Sequence, residues 1–373
     1  MIPFLKLALT DDAAVVQAAI ARVVERGWFV LGPELEAFER EFAAACGASQ
    51  SVGVGTGTDA IAIALRALGV GPGDEVITSP LSAAYSALAI MMTGARPVFA
   101  DVDAERLTLD PRAVAACVTA TTAAIVPVHI YGQPADMPAI VAVAKRHGLA
   151  IVEDCCQAHL ATCAGQPVGS FGEAAAYSFY PTKNLGALGD GGALTTTDEA
   201  TAARARRIRN GGQTDRYHHR EFGVNSRLDE IQAAILRARL PLLPARTARR
   251  RALAAHYRRA LADVDTVVVP PEADAGHVYH LFPVRSNARD AMQSHLAANG
   301  VETLIHYPVP IPQQPAMATE RPADCPVANR VCAEVFSLPL YPALPDAAIA
   351  DVTRALASGP AAAVSRHERD AQR

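Results

Sequence analysis

Between residues 50 and 200 the hydrophobic pattern changes period repeatedly. Short apolar runs bounded by turn residues alternate with stretches whose apolar positions recur every three or four residues. "SVGVG" is followed by "DAIAIALRAL", "DEVITS" by "SAAYSALAIMM", and "RPVFADV" by "PRAVAACV". "AAIVPVHI" then leads to "MPAIVAVAKRHG", and "AIVEDC" follows. Near-continuous apolar strands separated by amphipathic helices predict a parallel sheet covered on both faces. "AAAYSF" and "GGALTTT" read as two further strands with no room between them for a full helix, so the second is free to run antiparallel.

After residue 225 the texture changes. "SRLDEIQAAILRARL" reads as a helix, "PLLP" interrupts it, and "ARTARRRALAAHYRRAL" resumes helical spacing. "VYHLFPV" predicts a strand, "ARDAMQSHLAANG" a helix closed by Gly300, and "ETLIHYP" another strand. The expected class is α/β, with a large domain over residues 1–244 and a smaller α+β domain over 245–357. The tail 358–373 is Ala-rich and charged, lacks a core-facing pattern and is expected to be disordered. There is no internal repeat.

Composition narrows the function classes. Half of the 373 residues are apolar and 19% are charged, which suits a sizeable core and not a disordered chain. A net charge of −4 supplies no basic field for nucleic acid. No apolar run approaches the roughly 20 residues that span a bilayer. The start, "MIPFLKLALTDD", is apolar for too few residues to be a signal peptide. A soluble cytoplasmic protein is expected, with no membrane and no nucleic-acid partner. The seven cysteines are scattered and form no C-x-x-C pair, so reduced thiols are expected and no metal site.

Three places carry candidate chemistry. In "GVGTGTDAIAIAL" a strand runs through a Gly-rich turn into a helix, which presents free N–H groups and a positive dipole end to an anion such as phosphate. The same residues, Gly55 to Ala60, fit the permissive dinucleotide fingerprint, but Asp74 and Glu75 begin the second strand instead of ending it. A plain tight turn is the simpler alternative. In "AIVEDCCQAH", Asp154 falls at the carboxyl end of a strand, where it can cap a helix, bind a metal or pair with a protonated nitrogen. In "SFYPTKNLGALGDGG", Lys183 is one of only three lysines among 34 basic residues. A turn lysine is most often simply solvated. Together, however, the phosphate-type loop, the acid and the lysine are what pyridoxal phosphate requires. A lysine amine forms a Schiff base with the cofactor, an Asp keeps the pyridine nitrogen protonated, and N–H groups hold the phosphate. Arg cannot replace the lysine, because its guanidinium stays charged and is a poor nucleophile.

On these motifs the chain resembles the nucleotide-sugar aminotransferases of the DegT/DnrJ/EryC1/StrS group. That group has the aspartate aminotransferase-like fold (pyridoxal phosphate fold type I), with a mostly parallel mixed sheet and a smaller C-terminal domain. The likeness is carried by "GTGTDAIAIALRALGVGPGDEVI", "HIYGQPADM", "EDCCQAH", "SFYPTKNLGALGDGG", "FGVNSRLDEIQAAIL" and "LIHYPVPIPQQPA", and runs over nearly the whole chain. It implies that Lys183 is the Schiff-base lysine, that Asp154 pairs with the pyridine nitrogen and that Gln157 bonds the ring hydroxyl. Thr58 and Asp59 would give backbone N–H groups to the phosphate, and Ser178 its hydroxyl. Asn225 would reach the phosphate of a neighbouring subunit, making the working unit a homodimer with shared sites. Where many relatives stack an aromatic residue on the cofactor ring, this chain has Ala83, with Tyr85 two residues on.

The motif variants look most like members that aminate C3 of a keto sugar. The implied reaction moves an amino group from L-glutamate to a dTDP-linked 3-keto-6-deoxyhexose, giving a 3-amino sugar nucleotide. Tyr217 (with His218), His306 and Tyr307 are candidates to line the sugar pocket. Arg209 and Arg227 are candidates for the diphosphate or the glutamate carboxylates. The alternatives are amination at C4, amination of a keto-cyclitol and, from a different class, a dinucleotide-dependent oxidoreductase. The related sugar 3-dehydratases carry His at the lysine position, so Lys183 argues against that activity.

Overall fold

A computed structural model describes residues 1–7, 11–317 and 323–360. All but the first three residues of the tail expected to be disordered lie outside the described residues.

The elements follow the sequence periods closely. Two helices, α1 (Ala13–Arg26) and α2 (Pro33–Cys46), lead into β1 (Gln50–Val54), α3 (Gly57–Ala67), β2 (Glu75–Thr78), α4 (Tyr85–Met92) and β3 (Arg96–Phe99). Then come α5 (Pro111–Cys117), β4 (Thr122–Val126), α6 (Met137–His147) and β5 (Ala150–Asp154). A tiny hairpin, β6 (Thr162–Cys163) and β7 (Gln166–Pro167), precedes β8 (Ala174–Ser178) and β9 (Gly192–Thr196). Local signals set the ends. Asp136 caps α6 through the Ala139 N–H, Lys145, Arg146 and His147 occupy its last turn, and Gly148 closes it at φ +66.

β1 to β5, β8 and β9 form one seven-stranded sheet in the order β1-β9-β8-β5-β4-β2-β3. β2, β3, β4, β5 and β8 run parallel, and β9 is antiparallel to both of its neighbours, β8 and β1. That is the orientation its short connection allows. Successive strand residues feed opposite faces. Ile77, Ile125 and Ile151 pack with Phe38, Phe42, Ile140 and Leu236 on one side. Val76, Val126 and Val152 pack with Ile61, Leu65, Ile90 and Ile208 on the other. Both faces are buried, so the strands read as continuous apolar runs.

The chain continues through α7 (Glu199–Arg209), the exposed hairpin β10 (Gln213–Asp215) and β11 (His218–His219), and α8 (Glu230–Arg239). The "PLLP" interruption is one 3-10 turn, after which α9 (Leu243–Ala260) resumes. β12 (Phe282–Arg285), α10 (Arg289–Ala298), α11 (Pro326–Glu334), β13 (Val335–Leu338) and α12 (Asp346–Ala357) complete the described chain. A further core, from Leu253 to Leu356, gathers α9, α10, α12, β12 and β13.

Two expected strands differ here. "ETLIHYP" is not a strand: only Leu304 bridges to Ser337, and Val301 to Ile2. Pro308 and Pro310 remove ladder donors at its end, and the partner of β12 is instead the "VFSL" run of β13. "VYHLFPV" contracts to residues 282–285, and its first half leaves the sheet to lie along Tyr131 and Gly132 through backbone bonds from Val278 and Leu281.

Candidate active site

The parallel strands end on one side of the sheet, and the loops beyond them enclose a cavity of about 1270 Å3. The N-terminus of α3 lies on one wall and the segments around 280 and 306 on another. Thr58, Asp154, Gln157, Ser178, Lys183, His306 and Tyr307 all line it, although they are far apart in sequence.

α3 begins where sequence reading placed an anion site. Thr56 is the N-cap, and its hydroxyl accepts the Asp59 N–H at 3.0 Å. The Gly57 and Thr58 N–H groups have no partner among the described residues and open on the cavity. Asp59 differs from expectation in its surroundings. Its N–H is held by Thr56, and its carboxylate accepts from Ser226, whose hydroxyl also takes the Gly55 N–H. Gly57 is required by close approach: a Cβ there would lie 2.7 Å from Cys156 Sγ and 2.8 Å from Ser178 Cβ.

Asp154 ends β5 and is only 6% exposed. Its Oδ2 accepts from the Ser86 hydroxyl at 2.7 Å, and its Oδ1 from the Cys156 N–H at 3.1 Å. No described guanidinium or ammonium lies within ion-pair distance. A buried carboxylate with two neutral donors and no cation fits a protonated ring nitrogen. Lys183, in the turn after β8, faces the same space. Burial pulls its ammonium below the ordinary lysine range, against the opposing influence of Cys156 and Asp154. That favours the neutral amine a nucleophile or base needs.

Gln157 is already held on two sides: Oε1 takes the Tyr131 N–H at 2.7 Å, and Nε2 donates to Tyr307 Oη at 3.1 Å. Burial first, with Asp154 and Cys156 adding, pushes the Tyr307 phenol up to about 12 against the Gln157 bond, so it stays a neutral donor. His306 bonds Ser337 through Nδ1 at 3.0 Å, and its ring stacks on Phe4 with centroids 5.6 Å apart. Burial, then Lys183, pulls His306 down to about 4, so it is uncharged at neutral pH. Ala83 and Tyr85 both line the cavity.

Four sequence candidates stand elsewhere. Tyr217 is 75% exposed on the β10–β11 hairpin, beside Arg216. Asn225 is exposed and bridges Asn210, away from the cavity of its own chain. Arg209 is buried against Glu39 and the Gly53 carbonyl, and Arg227 bonds Asn210. Asp74 and Glu75, which a dinucleotide reading would need, sit at the start of β2, bonded to the Gly71 N–H and to Arg96 and Thr119. Sequence reasoning missed Ser86, Cys156, His280 and Arg250, all of which line the cavity. For Ser86 and Arg250 no sequence signal existed, since both residue types are common in generic roles.

One other buried group invites a metal reading. His129 Nε2 meets Glu153 Oε2 at 3.1 Å near Cys155, all of them buried. Glu153 also accepts the N–H groups of Gly169, Phe171 and Gly172, and His129 Nδ1 accepts that of Ala135. Both Glu153 oxygens thus accept twice, and the pair is satisfied by protein groups.

An amine whose charged form burial disfavours, an acid without a cationic partner and open helix N–H groups around one cavity equip a protein for amine chemistry on a phosphate-bearing group. Comparison with known proteins agrees. The model of the DegT/DnrJ/EryC1/StrS aminotransferase family matches residues 10–357, and the chain belongs to that family. It is 49% identical over 348 residues to a dTDP-3-amino-3,4,6-trideoxy-alpha-D-glucose transaminase of Streptomyces venezuelae, covering 92% of each chain. It is 44% identical to a UDP-N-acetyl-3-dehydro-alpha-D-glucosamine 3-aminotransferase of Acidithiobacillus ferrooxidans, over 89% of this chain and 90% of that one. Among solved structures, S. venezuelae DesV in complex with a ketimine intermediate matches with a TM-score of 0.93 at 48% identity, over 95% of this chain and 97% of that one. The protein is an aminotransferase.

Proposed function

We propose that this aminotransferase uses pyridoxal phosphate to move an amino group from L-glutamate to C3 of a dTDP-linked 3-keto-6-deoxyhexose. The observation that carries the reading is the convergence of Lys183, Asp154 and the α3 N-terminus on one cavity, in a chain half identical to a dTDP-3-amino sugar transaminase. When bound, the cofactor supplies an aldehyde carbon that exchanges amines and a ring that withdraws electrons from it.

The chain's own groups divide the remaining work. The Gly57 and Thr58 N–H groups and the Ser178 hydroxyl hold the phosphate, with Asp59 bracing that loop through Ser226. Asp154 keeps a proton on the ring nitrogen, and Gln157, fixed by Tyr131 and Tyr307, faces the ring hydroxyl. With the cofactor bound, the Lys183 amine would take a proton from the donor α-carbon and return one during sugar amination. His306 and Tyr307 present uncharged polar groups to the sugar. Asn225 and Tyr217, off their own cavity, serve the site of a second copy, so the working unit is a homodimer. Residues 1–244 form the cofactor domain and 245–357 the smaller one, supported by the separate core from Leu253 to Leu356. The setting is cytoplasmic, supported by seven free thiols and by the lack, among the described residues, of any helix able to cross a membrane.

The test is direct. Protein loaded with pyridoxal phosphate is mixed with L-glutamate and, separately, dTDP-3-keto, dTDP-4-keto and UDP-3-keto hexoses, and the products are read by mass spectrometry. Amination of the dTDP-3-keto sugar is expected. Amination of the 4-keto sugar or the UDP sugar in its place would refute the assignment.

A further inference from the structure

The proposed reaction needs a cation for the carboxylates of its amino donor. Arg209 and Arg227, the sequence candidates, are committed to Glu39 and Asn210 outside the cavity. Among the described residues lining the cavity, the positive groups are Lys183 and Arg250. Lys183 must be free as a neutral amine, which leaves Arg250.

Arg250 lies on α9 and is 5% exposed. Its Nη1 donates to the carbonyls of Tyr279 at 3.1 Å, His280 at 3.3 Å and Leu340 at 3.0 Å. Its Nε and Nη2 donate to no described residue, and no described carboxylate pairs with it, although other arginines of this chain sit on acids. Burial, with Arg246 adding, pulls its guanidinium down to about 10, so it remains charged at neutral pH. A buried cation with open donors and no counter-ion at a cavity wall calls for an anion from solution.

Its position suits the donor. The carbonyl that Arg250 holds belongs to His280, whose Nδ1 lies 3.4 Å from Asn184 Oδ1, and Asn184 follows Lys183 in the chain. Guanidinium and amine both act electrostatically on the His280 ring. Both depress its protonation after burial, which keeps that ring from competing for the anion.

We propose that Arg250 is the carboxylate-binding residue for the amino donor, gripping it through Nε and Nη2 while Nη1 stays anchored on the backbone. The proposal rests on the aminotransferase reading with an acidic donor. Nothing in it depends on which sugar is the acceptor.

The holoenzyme is compared with Arg250→Gln and Arg250→Lys. Loss of a charged hydrogen-bonded contact predicts a roughly 10- to 100-fold rise in half-saturation by L-glutamate for bleaching of the visible band, smaller for Lys than for Gln. Binding of 2-oxoglutarate to the pyridoxal form, measured by calorimetry, weakens in parallel. The second half-reaction, keto sugar with the pyridoxamine form, keeps its half-saturation. Equal losses in both half-reactions, or unchanged 2-oxoglutarate binding, would overturn the proposal. If neither variant folds to a coloured holoenzyme, Arg250 is a structural tie and the proposal also fails. If wild type itself is not bleached by L-glutamate, the donor assignment under Proposed function is what fails.

Discussion

The contact between Ser86 and Asp154 makes the most exacting prediction. The serine hydroxyl donates to Asp154 Oδ2 at 2.7 Å, with both side chains buried. A hydrogen bond to a charged group contributes about 1.5–3 kcal/mol. In Ser86→Ala the carboxylate keeps only the Cys156 N–H. A double-mutant cycle with Asp154→Asn, read by urea unfolding of the cofactor-free protein, should give a coupling energy of about 1.5–3 kcal/mol. The same loss has a consequence for catalysis. Without Ser86 the carboxylate loses the contact that fixes its Oδ2 in place. A carboxylate less firmly placed would hold a proton on the ring nitrogen of a bound cofactor less well. Turnover with L-glutamate should fall about 10- to 100-fold while cofactor stays bound. A coupling energy below about 0.5 kcal/mol, inside the additivity of independent sites, would refute the reasoning.

Other outcomes follow from the same geometry. Borohydride reduction of the holoenzyme should fix the cofactor on the peptide containing Lys183, one of three lysines in the chain, and Lys183→Ala should leave every peptide unmodified. Gly57→Ala places a Cβ within 2.8 Å of Cys156 and Ser178, so overpacking should cost about 1–3 kcal/mol in thermal unfolding and speed loss of cofactor on dialysis. Burial holds His159 and His277 each at about 3, with Lys183 lowering the first further and Arg258 and Arg251 the second. The unfolded chain therefore binds more protons than the folded one from about pH 6.5 down to about 3, and stability falls with pH across that window. Each imidazole should remove about 2 kcal/mol between pH 6.5 and 5, and His159→Gln should flatten that slope in urea titrations; an unchanged slope would contradict the assignment.

The sheet was legible because burial on both faces leaves an unmistakable apolar run at each strand, and because the connection before β9 is too short for a parallel return. The site was legible where only one residue type can do the work. Their motifs carry Asp154, the last residue of β5, and Lys183, in the turn after β8, to the cavity wall. Ser86 and Arg250 were not legible, since hydroxyls and guanidiniums serve many purposes and only the bond of Ser86 to Asp154, or of Arg250 to the carbonyls of residues 279–280, shows which one applies. The strand expected at "ETLIHYP" failed for a related reason. Its apolar spacing is right, but the position of a partner strand is a property of the fold and not of the segment.

Charge placement explains why so arginine-rich a chain keeps so few cations at its site. Arg22, Arg26 and Arg237 surround Glu34, whose carboxyl Arg22 first and Arg237 next pull down to about 2 against the cost of burial. Arg204 and Arg207 share Glu221, and Arg239 and Arg246 share Asp12. These guanidiniums hold elements together. The cavity wall, by contrast, has Lys183 and Arg250 as its cations, set against Asp154, Asp190 and Glu302. If Lys183 works as a neutral amine and Arg250 takes the donor carboxylate, no cation remains among the described residues of this wall for a nucleotide diphosphate. The loop that carries Asn225 and Arg227 is tied to the phosphate turn through Ser226 and Asp59, yet its Asn225 faces outward beside the exposed Phe222. On the homodimer proposed above, that loop of a second copy would bring Arg227, bonded here to the neutral Asn210, toward the acceptor's diphosphate.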